Sequence, residues 1–246
     1  MRIAYLADIH ANLEALRACL ASARERGADR LIFLGDIVGY GADPAACLDL
    51  VREACEAGAA AVIGNHDEAV ACRRIRMSPI AEIAARWTET MLNSEHKLFL
   101  AGLPLTLTED DRLYVHASAL TPERYPYIRD VQAASDSLRA TAARMTVCGH
   151  VHVNALYHIS IAGKVMGFKP GDDVSIPLSQ NRRWLVVLGS VGQPRDGNPA
   201  SVYGLLETAT NEFTFVRVPY DIETAAFKIR GAGLPEALWK RLSLGR

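Results

Sequence analysis

No two cysteines of this chain form a CxxC pair. The five that occur, Cys19, Cys47, Cys55, Cys72 and Cys148, are odd in number and scattered. That spacing argues against a disulfide framework and a thiolate-based structural zinc site. It predicts reduced thiols, mostly buried as small apolar groups, in a cytoplasmic protein. No apolar run approaches the roughly 20 residues of a membrane span. Arg2 is followed by Asp8 before a signal-peptide core could form, so no leader is expected. Excess charge is missing as well: 27 basic residues face 28 acidic ones, for a formal net charge of -1. Charge alone therefore draws the chain to neither nucleic acid nor a membrane surface. Low-complexity tracts, charge blocks and repeats are absent too.

What is present is apolar bulk. Half of the 246 residues are hydrophobic and 22% are charged. That suffices for a sizeable core, and a single domain over residues 1–246 is expected.

The first third alternates strand and helix. Residues 2–7 read as a strand ending at Asp8-Ile9-His10, whose two polar side chains would share a side in extended backbone. Helical spacing follows over residues 11–26, with Gly27 closing it. A second strand, 31–34, ends in Gly35-Asp36. Asp43 and Pro44 open a helix that reaches Ala57. A third strand, 60–63, ends in Gly64-Asn65-His66-Asp67. This order predicts a parallel sheet with ligands at the carboxyl ends of its strands.

The middle reads as helical. One helix starts at Ser78-Pro79, with Ile80, Ile83, Ala84, Trp87 and Met91 on its core face, and Ser94 caps a shorter one. Strands 105–108 and 112–116 form a hairpin, the second ending in His116. Tyr125-Pro126-Tyr127 is an irregular loop, and residues 133–143 form a helix. A strand at 146–148 runs into Gly149-His150-Val151-His152. Five strands are then expected, over 155–161, 174–177, 183–188, 201–207 and 212–218, with closing helices over 221–242. The change from parallel to antiparallel patterning predicts two sheets face to face with helices outside, an α/β sandwich.

Five of the seven histidines, His10, His66, His116, His150 and His152, fall at strand ends beside Asp8, Asp36 and Asn65. His96 and His158 do not, and read as ordinary surface or core residues. Imidazoles, carboxylates and one amide suit divalent Mn, Fe, Ni, Co and Zn. Cys148-x-His150-x-His152 alternates, so a zinc site using Cys148 is a second reading; it would leave the upstream blocks unexplained. Arg73-Arg74-x-Arg76 reads as a nucleic-acid contact or as a solvated helix end.

Asp8-x-His10, Gly35-Asp36, Gly64-Asn65-His66-Asp67, His116 and Gly149-His150-x-His152 stand in the order and rough spacing of the calcineurin-like metallophosphoesterases, and the chain resembles that superfamily. The run Gly189-Ser190-Val191-Gly192-Gln193-Pro194-Arg195-Asp196-Gly197 resembles the tail of its small bacterial phosphodiesterases and diadenosine-tetraphosphatase-like members. The resemblance implies an αββα sandwich holding two divalent ions, Mn first among the candidates. Asp8, His10 and His152 would hold one ion, and Asn65, His116 and His150 the other, with Asp36 bridging. Two ions about 3.5–4 Å apart would share a hydroxide for in-line attack on phosphorus. His66 would protonate the leaving group or stabilise the transition state, with Asp67 orienting its ring.

The chain departs from the protein phosphatases of that superfamily at Gly35-Asp36-Ile37-Val38-Gly39-Tyr40-Gly41. Their phosphate-contacting arginine is replaced by Tyr40. Arg195 is the candidate substitute, since a guanidinium grips phosphate bidentately; its other reading is a plain surface arginine. Tyr40, Tyr125 and Tyr127 are candidates for stacking on a base. The expected substrate is a small phosphodiester, a nucleotide or a dinucleoside polyphosphate. The alternatives are a nuclease of the same superfamily and a non-catalytic interaction module, as in the retromer subunit that shares the fold.

Overall fold

The computed structural model describes residues 1–72 and 75–246. In chain order the first elements are β1 (Arg2–Leu6), α1 (Leu13–Glu25), β2 (Arg30–Phe33), α2 (Pro44–Glu56) and β3 (Ala60–Ala61). Next come α3 (Asn65–Ala71), α4 (Pro79–Met91), α5 (Ser94–Gly102), β4 (Thr106–Glu109), β5 (Arg112–Val115) and α6 (Val131–Arg139). Then follow β6 (Met145–His152), β7 (Ala155–Ile159), β8 (Val165–Phe168), β9 (Ser175–Pro177) and β10 (Arg183–Gly189). The chain closes with β11 (Ser201–Glu207), β12 (Glu212–Val218), α7 (Ile222–Gly231) and α8 (Glu236–Leu244).

Two six-stranded sheets result. One has the order β3-β2-β1-β11-β12-β9 and the other β4-β5-β6-β10-β7-β8. Both are mixed. β1 runs parallel to β2 but antiparallel to β11, and β6 runs parallel to both β5 and β10. The parallel and antiparallel halves of the sequence therefore do not segregate into separate sheets. With helices packed on the outside, this is the expected αββα sandwich.

Alternation along β1 shows how the layers form. Ile3 and Tyr5 enter the core between the sheets, where they meet Tyr114, Val147, Val186, Phe213 and Phe215. Ala4 and Leu6 face the other way, onto Leu16 and Cys19 of α1 and Leu48 and Val51 of α2. A strand buried on both faces reads as an unbroken apolar run, as β1 does. Asn12 caps α1 by accepting a hydrogen bond from the Ala15 amide at 3.2 Å, so this helix starts two residues later than expected. A smaller cluster packs Leu238 and Leu242 of α8 on Ala225 and Ile229 of α7 and Ala84 of α4. Lys228 of α7 donates to Glu14 at 2.5 Å and to Asp43 at 2.9 Å, tying the C-terminal helices to the starts of α1 and α2.

Several expectations need correction. Asp43 precedes α2 but its side chain serves Lys228 rather than a helix amide. Ile83 and Met91 are half exposed; α4 turns Ala81, Ala84, Ala85 and Thr88 inward instead. Asn93, not Ser94, caps α5, accepting from the His96 amide at 2.9 Å. β8 was not expected; its Gly167 lies so close to the Tyr157 ring that a side chain would collide with it. Arg73 and Arg74 lie outside the described residues. The five cysteines are free. Among the described residues no helix is long and apolar enough to cross a membrane.

Candidate metal centre

The polar residues singled out in the sequence meet at one end of the sandwich. Asp8 and Asp36 follow the carboxyl ends of β1 and β2, His116 follows β5, and His150 and His152 close β6. Asn65, His66 and Asp67 form the first turn of α3, a helix that begins directly after β3 and its loop. Asp8, His10, Asp36, His66, Asp67, His116, His150 and His152 are all buried. Three groups of possible ligand atoms result: Asp8, His10 and His152; His10, Asp36 and His66; Asp36, His116 and His150.

Extended backbone does not deliver this arrangement. Asp8, His10, Asp36, His150 and His152 have φ between 49° and 67°, in the left-handed region. Asp and His tolerate that region better than most residues, at a cost in strain. The shared side expected of Asp8 and His10 therefore comes from a coiled turn rather than strand alternation. Two glycines admit the close approach. A side chain on Gly64 would meet the Asp36 amide and carboxylate, and one on Gly149 would meet Asp8. β6 extends to His152, but its regular pairing with β10 stops at Cys148 and is irregular from Gly149 on. Cys148 sits in the core between β6 and α6, with burial pushing its thiol above its ordinary range.

Backbone carbonyls set the histidine tautomers. A carbonyl can only accept, so the ring nitrogen facing it carries the proton. His10 Nδ1 donates to Val38 O at 3.3 Å, His116 Nδ1 to Leu34 O at 2.7 Å and His152 Nδ1 to Gln193 O at 2.7 Å. In the neutral rings each Nε2 is then a lone pair, and these lone pairs point at other acceptors. His10 Nε2 lies 3.1 Å from His152 Nε2, and His152 Nε2 lies 3.2 Å from Asp8 Oδ1. Asp8 Oδ1 is buried without a hydrogen bond, while Oδ2 accepts from the His150 amide at 2.8 Å. On the other side, His116 Nε2 lies 3.2 Å from both Asn65 Oδ1 and His150 Nδ1.

Asp36 joins the two sides. Its Oδ2 is 3.7 Å from His10 Nε2 and 3.3 Å from His116 Nε2, while Oδ1 accepts from the His66 amide at 2.8 Å. Buried acceptors gathered without protons between them are stable only around cations. Carbonyl-tethered imidazoles are also how proteins present Nε2 to a metal. The buried His and Asp clusters are consistent with a dinuclear metal site, which Asp8, His10 and His152 would line on one side and Asn65, His116 and His150 on the other, with Asp36 between them.

Charges respond accordingly. Burial lowers His66 to about 4 and His150 to about 3, in the second case helped by the neighbouring His116. Burial would lower His116 as well, but the carboxylate of Asp36 outweighs it and lifts this ring to about 9. A proton thus gathers where a cation is due. Asp67 is pushed up to about 7 by burial and by the charge of Asp36.

Asp67 does not orient the His66 ring. Its oxygens accept from the Val38 amide at 3.1 Å and the Gly64 amide at 3.0 Å, so it ties the β2 loop to the start of α3. Among the described residues His66 Nδ1 has no partner, and the ring is held by its neighbours. Its centroid lies 4.3 Å from that of Tyr40 and 4.9 Å from that of His10. Tyr125 is buried, donating from its hydroxyl to Glu68 at 2.7 Å with its ring 5.7 Å from His116, and so is no platform for a base. Tyr127 is the exposed one, stacked on His150 at 4.0 Å. His96 binds Asp49 and His158 packs on Trp184, both away from the centre as expected.

Arg195 is not a free surface residue. Its backbone amide donates to His152 O at 3.1 Å, and its guanidinium lies 5.8 Å from the Tyr40 ring. Beside it, and unanticipated from the sequence, stands Arg241 of α8, since a lone arginine on a C-terminal helix carries no motif. A cavity of about 770 Å³ lined by Met1, Leu20, Arg24, Arg30 and Ala57 lies at the opposite ends of β1 and β2, away from this chemistry.

Comparison with known proteins agrees with the geometry. Residues 1–211 match the calcineurin-like phosphoesterase superfamily domain. An uncharacterized protein of Methanocaldococcus jannaschii is 34% identical across 99% of this chain and 98% of its own length. A metallophosphoesterase structure from Sphaerobacter thermophilus superposes with a TM-score of 0.88 at 37% identity, covering both chains fully. A hypothetical protein from Pyrococcus horikoshii shares the fold at a TM-score of 0.80 and 19% identity, over 100% of this chain and 98% of its own. The chain belongs to the calcineurin-like phosphoesterase superfamily.

Proposed function

We propose that the protein is a two-metal phosphoesterase acting on small phosphodiesters or nucleotides, dinucleoside polyphosphates included, with manganese as the working ion. The observation that supports it most is the set of three histidines tethered through Nδ1 to Val38, Leu34 and Gln193, their Nε2 atoms facing other acceptors around Asp36. When bound, the cations would neutralise the charge of a phosphate and acidify a water for in-line attack.

The chain's own groups supply the rest. Asp36 balances charge across both sides and, through the His66 amide, fixes the start of α3. His66 would stabilise the charge developing on the leaving oxygen through a ring N–H; protonating that oxygen would need the imidazolium, which burial disfavours at pH 7. Burial keeps its ring neutral at pH 7, and Tyr40 and His10 hold it in place by contact. Asp67 fixes the two loops that carry Asp36 and His66. Tyr127 stacks on His150 at 4.0 Å and has the Arg129 guanidinium 4.2 Å from its ring centroid, so a base would have to displace Arg129 to stack there.

Metal analysis of the purified chain, with hydrolysis of bis-p-nitrophenyl phosphate and p-nitrophenyl phosphate, tests this reading. About two ions per chain and turnover of the diester are expected. No metal and no turnover of either compound would leave a scaffold.

A further inference from the structure

Two arginines converge on one buried amide beside the metal centre. Arg195 Nη2 donates to Gln193 Oε1 at 2.9 Å and Arg241 Nη1 donates to the same oxygen at 3.2 Å. Gln193 is 2% exposed, and its own carbonyl is the tether of His152. Its backbone N–H donates to Ser190 Oγ at 2.7 Å, and Ser190 Oγ donates to Asp8 O at 2.7 Å. Arg195 from this loop and Arg241 from α8 thus meet on the residue whose carbonyl tethers His152.

Neither guanidinium is neutralised. Among the described residues no carboxylate lies within 4.0 Å of either one. Asp196, next to Arg195 in the chain, is taken by Arg217, which also binds Asp172 and Ala200 O. Arg195 Nε is buried without a partner. Burial and the nearby charge of Arg195 both depress Arg241. Two like charges held together, with a spare donor and no counter-ion, make a focus of positive potential.

Position gives the pair a direction. Arg195 lies against the Tyr40 ring, and Tyr40 in turn contacts His10 and His66. We infer that Arg195 and Arg241 form an anion subsite that receives a second phosphate of the substrate, on the His66 side of the metal centre. This rests on the phosphoesterase reading for its role in turnover, but not for the binding of the anion. It narrows the substrate class to compounds whose leaving group itself carries phosphate.

The test uses the full chain, manganese-loaded for turnover and chelator-treated for binding, with inorganic phosphate and inorganic pyrophosphate as probes. Calorimetry on the chelator-treated chain should find pyrophosphate bound about tenfold more tightly than phosphate, or better. Arg241→Ala and Arg241→Gln should each remove most of that preference, with Arg241→Lys restoring part of it. The second and third variants keep bulk on α8 should the alanine variant unfold. In the loaded enzyme the ratio of kcat/KM for ADP to that for p-nitrophenyl phosphate should fall with the same ranking. Equal affinity of the wild-type chain for both probes overturns the subsite, as does an unchanged preference in folded Arg241 variants. A loaded chain that turns over none of ADP, p-nitrophenyl phosphate and bis-p-nitrophenyl phosphate while keeping its pyrophosphate preference sinks the phosphoesterase reading and leaves the subsite standing.

Discussion

The two sides of the metal centre are not equivalent. The side of Asp8, His10 and His152 has a full carboxylate of its own, and both its rings are tethered to carbonyls. The side of Asn65, His116 and His150 has a neutral amide in place of that carboxylate. Among the described residues His150 Nε2 has no partner, and Asn65 Nδ2 meets only the sulfur of Met77 at 3.9 Å. Fewer charges and a looser surround mean a weaker site, because hard cations follow ligand charge and outer contacts hold ligands in place. The second ion should therefore be the exchangeable one.

The largest effect tests what the sides share. Asp36→Asn keeps an oxygen for the His66 amide but removes the common charge. Metal content should fall below one ion per chain and turnover by about a thousandfold or more. Retention of both ions, read by elemental analysis, would break the idea of a shared carboxylate. Next, His66→Ala should leave both ions bound and lower kcat by about a hundredfold or more; an unchanged kcat would strip His66 of its proposed role.

Smaller changes should separate the sides. Asn65→Ala should weaken only the second ion, by about 10–100-fold, seen as a drop from two bound ions to one. Loss of both or of neither would erase the asymmetry. Acid should do the same reversibly. In the unloaded chain His116 carries a proton up to about pH 9, because Asp36 outweighs burial, whereas burial and His152 lower His10. Binding on the second side must expel that proton, so its affinity should fall about tenfold for each unit below pH 9. Metal titrations at pH 6, 7 and 8 should show this slope for the second ion alone. Least of all, Asp67→Asn leaves one oxygen for two amides and should cost about 1–3 kcal/mol in denaturant unfolding with metal content unchanged. A gain in stability would show that the buried acid is a burden rather than a brace.

The residues that converge at the candidate centre were legible because each stands where an apolar run stops, and histidine beside aspartate at a strand end serves no ordinary turn. The sandwich followed from the same runs. What escaped was whatever depends on the third dimension. The carbonyls of Leu34, Val38 and Gln193 choose the tautomers, yet any residue would offer a carbonyl. Asp67 sits next to His66 in the chain but points into the backbone, since the helical turn of α3 carries the two side chains apart. Tyr125 and Tyr127, one proline apart, end on opposite sides of the surface because Tyr125 takes left-handed backbone and turns inward to Glu68. Arg241 is far from every motif and gains meaning only through Gln193. β8 was hidden by Gly167, a poor strand former that the Tyr157 ring makes necessary.

The coiled turns at Asp8, His10, Asp36, His150 and His152 have one more implication. Each such residue stores roughly 1–3 kcal/mol. A fold that tolerates five of them is set like a sprung trap, and the ions are the latch. Heat resistance should consequently belong to the loaded form, and starving the cell of its metal should leave a chain that is less durable as well as idle.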